Sequence, residues 1–300
     1  MTTARRLAGL VNSVLPRSWR LTRGGPPASE PSAAPRFYAW LTPEVALTRL
    51  HDGHFIFVDP ADEQITPHLV ARGYWESWIE AVIRRLIRPG DRVIEVGANL
   101  GYYTLLLAAG IGPTGRLDSF EANPRLAALV GRSVEFNGYA PFAAVHAQAV
   151  SNQPGTLRFA ASRTQSGGGH LALPGHAYGS ETAVIEVPAV RLDDIVREGR
   201  VDFIRMDAEG AEPLILEGAA GLLARCPDIR ICTEWAVGMM AANVEVPAFI
   251  ARLRAQGFRS WRIEPDSTLT ELGDAQLLAL ELCDVILARS HPGIKSVALG

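Results

Sequence analysis

The sequence predicts an α/β protein built on a doubly wound, mostly parallel sheet whose last strand is antiparallel. From residue 92 onward, apolar strand-like segments alternate with helical patterns, which is typical of such sheets. Several of these segments end on an acid, at the edge where open α/β sheets bind ligands. The chain closes with two strands whose connection is too short for a parallel crossover. Seven core strands are expected, at residues 92–96, 115–121, 142–150, 201–207, 229–234, 258–263 and 282–288.

Helical patterns fill the intervals between these strands. We expect helices at residues 101–109, 124–137, 191–198, 213–224 and 247–256. Proline stands at the start of three of them, where its missing N–H is not needed. Residues 156–159 and 183–190 alternate like a pair of antiparallel strands. Between them, residues 161–180 contain three consecutive glycines and few apolar side chains, and we expect a mobile loop.

The composition of the chain excludes some classes of protein. A hydrophobic content of 48% and a charged content of 20% describe a soluble protein with a sizeable core. The formal charge of −3 argues against a nucleic-acid partner, because phosphate neutralisation requires a basic surface. The three cysteines lack the spacing of a zinc site or a disulfide framework, so we expect a cytoplasmic protein.

The first residues differ from the rest in charge. Five arginines precede the first acid, Glu30, and apolar residues between them have the spacing of one short helix. This segment is too short for a membrane span, and both a membrane-surface helix and a docked terminal helix remain open. We expect a basic helix and linker at 1–36, a strand and helix extension on the substrate side at 37–88, the main domain at 89–290 and a tail at 291–300.

The segment 93–101 contains an acid followed by a glycine turn. In Glu95-x-Gly97-x-x-x-Gly101, the acid replaces the first glycine of the dinucleotide fingerprint. A carboxylate there repels phosphate but accepts hydrogen bonds from a cationic or hydroxyl-bearing ligand. S-adenosylmethionine, with a sulfonium, an ammonium group and a ribose diol, is such a ligand. Gly97 lets the backbone approach it, and Gly101 lets the helix pack closely.

Further residues fit the same ligand. Glu121 ends the second strand about 25 residues after Glu95, where an acid can accept hydrogen bonds from both ribose hydroxyls. Asn123 lies in the same turn, and Gln148 follows the third strand, beside the expected adenine position. The predicted cofactor-binding residues are Glu95, Gly97, Asn99, Gly101, Glu121, Asn123 and Gln148.

The fourth strand ends on Asp207, the predicted catalytic residue. An alcohol must lose its proton to a base before it attacks a methyl group, and Asp207 is placed to act as this base or to orient the acceptor. His170, after the three glycines, is a second candidate on a loop that can close over the acceptor. Asp207 and Glu234, at the ends of adjacent strands, offer two oxygen ligands for a magnesium ion.

Two segments, residues 90–104 and 203–219, resemble the FkbM family of methyltransferases. The similarity spans about residues 70–290. It implies a class I, Rossmann-like S-adenosylmethionine-dependent fold and, for most members, methylation of a hydroxyl group. Glu95 stands where aspartate is commoner and Arg205 where lysine is commoner, and both exchanges keep the charge.

The sequence therefore predicts a methyltransferase that uses S-adenosylmethionine to methylate a hydroxyl group of a small metabolite or glycan, in secondary metabolism. An N-methyltransferase acting on an amine or peptide would use the same cofactor residues. A non-catalytic cofactor-binding protein is disfavoured because the strand-end acids are all present. A nicotinamide oxidoreductase is disfavoured by the missing first glycine.

Overall fold

A computed structural model describes residues 37–173 and 175–293. The predicted basic helix, the linker and most of the predicted tail lie outside these residues. The strands are β1 (Tyr38–Thr42), β2 (Val45–Arg49), β3 (Phe55–Val58), β4 (Arg92–Val96), β5 (Arg116–Phe120), β6 (Ala143–His146), β7 (Ala149–Val150), β8 (Gly155–Ser162), β9 (His170–Leu171), β10 (Thr182–Val190), β11 (Phe203–Met206), β12 (Arg230–Trp235), β13 (Arg259–Ile263), β14 (Leu269–Leu272) and β15 (Cys283–Ala288).

Helices follow or precede most of these strands. They are α1 (Thr66–Arg72), α2 (Ser77–Leu86), α3 (Tyr102–Ile111), α4 (Pro124–Phe136), α5 (Leu192–Ile195), α6 (Glu212–Glu217), α7 (Ala220–Arg225), α8 (Val237–Met240), α9 (Val246–Ala255) and α10 (Asp274–Leu278). In the described part of the chain, no helix combines the length and the apolar character needed to cross a membrane.

The central sheet has the order β14-β13-β15-β12-β11-β4-β5-β6. Its strands β12, β11, β4, β5 and β6 are parallel, and β15 lies antiparallel between β12 and β13. The doubly wound sheet with an antiparallel last strand is therefore confirmed, and the fold is Rossmann-like. The sheet has eight strands and not the expected seven, because the short segment β14 forms an antiparallel hairpin with β13. Its four residues alternate too briefly to be recognised as a strand in the sequence.

A second sheet of order β7-β10-β8-β9 lies beside the first. The predicted third strand, residues 142–150, divides between the two sheets: β6 pairs with β5, and β7 pairs with β10. The expected antiparallel pair is present as β8 and β10. Within the predicted loop 161–180, a 3₁₀ turn at Ser166–Gly168 and strand β9 make ordered contacts, since β9 pairs with β8.

The N-terminal strands form a third sheet, β1-β2-β3, that packs on helix α4. The backbone amide of Phe57 donates to Ser133 Oγ at 3.0 Å, and that of Phe55 donates to Asn137 Oδ1 at 3.1 Å. Side chains at the end of α4 thus accept hydrogen bonds from backbone amides of β3. In the described structure, β3 has no strand partner on that side. Strands β1 to β3 and helices α1 and α2 lie in the strand and helix extension expected at 37–88. The boundaries of the domains stay a prediction.

The turns after β4 and β11 touch each other. Gly97 has φ +81°, and a Cβ atom there would lie 1.8 Å from the backbone oxygen of Asp207. Gly101, at φ +92°, faces the side chain of Val130 on α4, which a Cβ would approach to 3.1 Å. Glycine is therefore required at Gly97 by both backbone conformation and space.

We expect Gly97→Ala to lower the free energy of unfolding by at least about 2 kcal/mol, because the new methyl group strains the left-handed backbone and displaces the Asp207 turn. Chemical denaturation measures the change. Gly131→Ala, on α4 with no atom within 4 Å of the added methyl, is the matched control and should leave stability unchanged or slightly raised. Equal stability of the two variants would contradict the packing argument.

Candidate functional site

The carboxyl ends of β4, β5, β11 and β12 meet at one edge of the central sheet. Because these strands are parallel, the side chains that follow them converge there. The backbone amides of Gly97 and Ala98 donate to the Phe120 carbonyl at 2.9 and 3.1 Å, and Asp207 N donates to the Val96 carbonyl at 3.0 Å. The predicted cofactor turn and the predicted catalytic residue are thus held against each other.

Arg205 joins the two turns from within the sheet. Its buried guanidinium donates to the Gly97 carbonyl and to Asp207 Oδ2, both at 3.0 Å. Its Cζ atom also lies 4.2 Å from the centre of the Tyr103 ring. Burial alone would lower the pKa of Arg205, but the acidic groups around it, Asp207 first among them, together outweigh burial and hold the pKa above its usual range. Asp207 is therefore fixed in direction by a permanent cation.

Glu95 is completely buried below the glycine turn. Its Oε2 atom accepts hydrogen bonds from Thr104 Oγ1 and Ser119 Oγ, each at 2.6 Å. Its Oε1 atom has no partner among the described residues. Burial raises the pKa of this carboxyl, and the charge of Arg205 opposes the shift. The free oxygen is an unsatisfied buried acceptor, which fits a ligand that carries a donor.

Glu121 is held by two backbone amides. Its Oε1 atom accepts from Asn123 N at 2.8 Å, and its Oε2 atom accepts from Asn99 N at 2.7 Å. Burial nevertheless raises the pKa of Glu121 to about 7. Each oxygen keeps a further lone pair, so the fixed carboxylate can accept a pair of hydroxyl donors.

The other predicted cofactor residues surround Glu121. Asn99 has φ +52°, and its buried Oδ1 atom has no partner within the described chain. The Asn123 side chain is already used, since it caps α4 by accepting from Arg125 N at 3.1 Å. The backbone amides of Gln148 and Glu121 both donate to the His146 carbonyl, at 2.9 and 3.0 Å. The structure therefore brings together around Glu121 the turns after β4, β5 and β6 that contain these residues.

Two further carboxyl groups gather around Asp207. Oxygen atoms of Asp207, Glu209 and Glu234 lie within 4.8 Å of one another. Burial and then the charge of Asp207 raise the pKa values of Glu209 and Glu234, and the Glu234 Oε2 atom is buried without a described partner. Such a group can bind a cation or share protons. Glu209 has φ +52°, a strained backbone conformation of the kind that recurs at functional sites.

Two further acids of this group escaped sequence reasoning. Glu76 precedes α2 with φ +42° and accepts a hydrogen bond from Tyr103 Oη at 3.1 Å. Asp284 lies directly opposite Glu234 in the pairing of β12 with β15. Burial and the neighbouring negative charges, including that of Asp207, raise the pKa of both carboxyls. The helix dipole favours an acid at the start of any helix, so the sequence does not distinguish Glu76 from an ordinary helix start.

His170 begins β9, and both of its ring nitrogens have partners near it in the sequence. Its Nδ1 atom is 2.9 Å from the Gly168 carbonyl, and its Nε2 atom is 3.2 Å from Tyr178 Oη. No hydrogen bond or ion pair joins His170 to Asp207 in the described structure. The two predicted catalytic residues are not brought into contact.

Known methyltransferases are similar to parts of this chain. The model of the methyltransferase FkbM domain matches residues 95–260. A protein-L-isoaspartate O-methyltransferase from Aeropyrum pernix is 40% identical over 52 residues, which are 17% of this chain and 20% of that protein. The match thus spans about a fifth of the length of this curated relative.

Solved structures of methyltransferases are also similar to this chain. An S-adenosylmethionine-dependent O-methyltransferase from Thermotoga maritima has 11% identity, covers 82% of this chain and 77% of its own, and gives a TM-score of 0.42. An O-methyltransferase from Bacillus cereus in complex with SAH has 16% identity. The match covers 71% of this chain and 78% of that one, with a TM-score of 0.40. With the family model matching more than half of its residues, the chain belongs to the FkbM family of S-adenosylmethionine-dependent methyltransferases.

Proposed function

We propose that the protein transfers the methyl group of S-adenosylmethionine to a hydroxyl group of a small metabolite or glycan. The observation that carries this proposal is the placement of Asp207, fixed by Arg205 beside the turn of Gly97. An acid at that point lies next to the proposed cofactor and faces the edge of the sheet where an acceptor enters. As part of the same proposal, we assign the enzyme to the cytoplasm and to secondary metabolism.

The residues around Glu121 fit the proposed cofactor. We assign the ribose hydroxyls to the Glu121 carboxylate, because backbone amides hold both its oxygens in place. The unpartnered oxygens of Glu95 and Asn99 suit donors such as the ammonium group. Gly97 gives close backbone approach and Gly101 close helix packing. Asn123 and Gln148 complete the set, beside the ribose and the adenine ring respectively.

In this reaction the residues of the chain have to orient the acceptor and remove its proton. The bound cofactor supplies an electrophilic methyl group on a sulfonium. The acceptor oxygen bonds to the methyl carbon as the carbon–sulfur bond breaks, and the hydroxyl proton passes to a carboxylate. We assign this proton to Asp207. His170 stays a second candidate base that requires movement of its loop, because its ring nitrogens are engaged within that loop.

An amine acceptor is the second candidate function, and the charge of the site favours it. Around Arg205, the carboxyls of Glu76, Asp207, Glu209, Glu234 and Asp284 outnumber the single guanidinium. A site with this excess attracts a cationic group. A neutral amine needs orientation more than a base, so the loss of the Asp207 charge should affect N-methylation less than O-methylation.

Glu121→Gln should weaken the binding of S-adenosylmethionine by about 1.5–3 kcal/mol, the value of hydrogen bonds to a charged group. Titration calorimetry measures the affinity. Since the pKa of Glu121 is about 7 and the carboxylate is the form that accepts the hydroxyls, affinity should rise as the pH increases through 7. This Glu121-dependent rise should be missing from the variant. Glu271→Gln, at an exposed ion pair, is the control, and equal affinities in all three proteins would contradict the assignment.

Asp207→Asn should lower kcat about 10²–10⁴-fold for hydroxyl acceptors, because the base is lost. Its amide oxygen still accepts from Arg205, so cofactor affinity should stay within a few-fold of the natural protein. Methyl transfer to panels of sugars, polyols and amines measures the effect, with the exposed Asp228→Asn as control. An undiminished kcat on hydroxyl acceptors would exclude Asp207 as the base, and a selective survival of amine methylation would favour the second candidate.

A magnesium ion held by Asp207 and Glu234, with Glu209 beside them, is a separate proposal for how the acceptor is oriented. It predicts that chelation by EDTA abolishes methyl transfer, that added Mg²⁺ restores it, and that Glu234→Gln raises the Mg²⁺ concentration required. The same rate before and after chelation would show that the carboxyls act without a metal.

A further inference from the structure

Glu76, at the start of α2, has a strained backbone and a side chain that does not cap the helix. Its φ of +42° and ψ of +58° lie in the left-handed region, which costs energy for any residue with a Cβ atom. The helix still begins there, since the Glu76 carbonyl accepts from Ile79 N at 2.9 Å and from Glu80 N at 3.1 Å. A side chain at this position commonly accepts a backbone amide of the helix, but the Glu76 carboxyl does not. Its contact lies in another element.

The Glu76 carboxyl holds the ring of Tyr103 on α3. Its Oε2 atom accepts a hydrogen bond from Tyr103 Oη at 3.1 Å. Tyr103 is 4% exposed, and among the described residues its hydroxyl donates to Glu76 alone. A buried phenol without an acceptor would be an unsatisfied donor, so this hydrogen bond fixes where the ring lies. A strained backbone such as that of Glu76 persists where the surrounding structure requires it.

The Tyr103 ring in turn covers one face of the guanidinium that binds Asp207. The ring centre lies 4.2 Å from Arg205 Cζ. Arg205 is itself buried and donates to the Gly97 carbonyl and to Asp207 Oδ2, both at 3.0 Å. An aromatic face attracts such a cation and keeps water from competing for its N–H groups. Burial and then the charge of Asp207 raise the pKa of Glu76 to about 7, and Arg205 opposes the shift, so this carboxyl interacts with the same ion pair.

We propose that Glu76 is a positioning residue: it holds the Tyr103 ring against the guanidinium that fixes Asp207. Without this hydrogen bond the ring can move, water reaches Arg205, and the Asp207 carboxylate loses its fixed direction. This role rests on the proposed function, in which Asp207 removes the proton of the acceptor. A displacement of about 1 Å is enough to slow a chemical step. Loss of the Glu76 carboxyl should therefore lower kcat and leave KM and cofactor affinity nearly unchanged.

Nuclear magnetic resonance of the full chain tests the position of the ring without any acceptor. The signal of the Arg205 Nε–H group is assigned by its loss in Arg205→Lys, and the nearby Tyr103 ring shifts it. In Glu76→Ala this ring-current shift should disappear, and the proton should exchange with water about tenfold faster. Glu76→Gln keeps an oxygen that accepts from the hydroxyl, so it should retain both properties. The same Arg205 signal in Glu76→Ala and in the natural protein would overturn the proposal.

Methyl transfer measures the consequence for the reaction, with the best acceptor from the panel of sugars, polyols and amines. Glu76→Ala and Tyr103→Phe should each lower kcat about tenfold, with KM and the affinity for S-adenosylmethionine within about twofold of the natural values. The double variant should be no slower than either single variant, because both remove the same hydrogen bond. Glu76→Gln should keep the natural kcat. Additive losses in the double variant would overturn the proposal.

Glu76→Gly separates this role from a contribution to stability alone. Glycine adopts the left-handed backbone without strain, so this variant should melt at a higher temperature than Glu76→Ala. Its kcat should stay as low, because the Tyr103 hydroxyl still lacks its acceptor. A kcat that recovers with the melting temperature would show a structural role and overturn the proposal. The matched control is Glu245→Ala at the start of α9, where an exposed glutamate also makes no capping hydrogen bond, and it should leave kcat unchanged.

Failure of the proposed function would give a different pattern. If Asp207 is the base, Glu76→Ala should cost nothing further in the Asp207→Asn background, because no base remains to be positioned. An unchanged kcat in Asp207→Asn, together with an altered Arg205 signal in Glu76→Ala, would exclude Asp207 as the base and still support the hold of Glu76 on the ion pair. A low kcat in Asp207→Asn, with natural kcat and Arg205 signal in Glu76→Ala, would overturn the positioning role alone.

Discussion

The buried guanidinium of Arg205 is the interaction on which the site depends. It binds the Gly97 carbonyl and Asp207 from below the sheet edge and lies against the Tyr103 ring. It therefore fixes the distance between two turns that come from strands far apart in sequence. A buried cation is stable only when its donors are satisfied, and here a carbonyl, a carboxylate and an aromatic face satisfy it. Lysine, with one point charge, would not bind both turns in the same way.

The carboxyl groups around Asp207 and Arg205 outnumber the single guanidinium, and the sheet topology brings two of them together. Strand β15 enters between β12 and β13, which places Asp284 directly opposite Glu234. Like charges at opposed positions destabilise a sheet. Burial and the neighbouring negative charges, including that of Asp207, raise both pKa values, so the pair is stable while it holds protons. A ligand with a positive charge would replace those protons, and this links ligand binding at the site to pH.

Parts of this group come from outside the segment that the family model matches. Glu76 precedes residues 95–260 and Asp284 follows them. Glu76 is held in a left-handed conformation at the start of α2 and contacts Tyr103 of the matched segment. Under the proposed function, all the cofactor-binding residues lie within the matched segment. The side chains that set the charge around the acceptor then depend in part on the flanking elements of this particular chain.

The sequence alone determined the strands of the parallel sheet and the edge at which Glu95, Glu121 and Asp207 meet. It did so because apolar strands and glycine turns are local patterns, and because parallel strands end on the same side. The tertiary structure decided the eighth strand, the division of residues 142–150 between two sheets, and the contacts of His170 with Gly168 and Tyr178. It also decided that Glu76 and Asp284 join the acids of the site. Each of these depends on which distant segments pair or pack, and no local pattern of residues records such a contact.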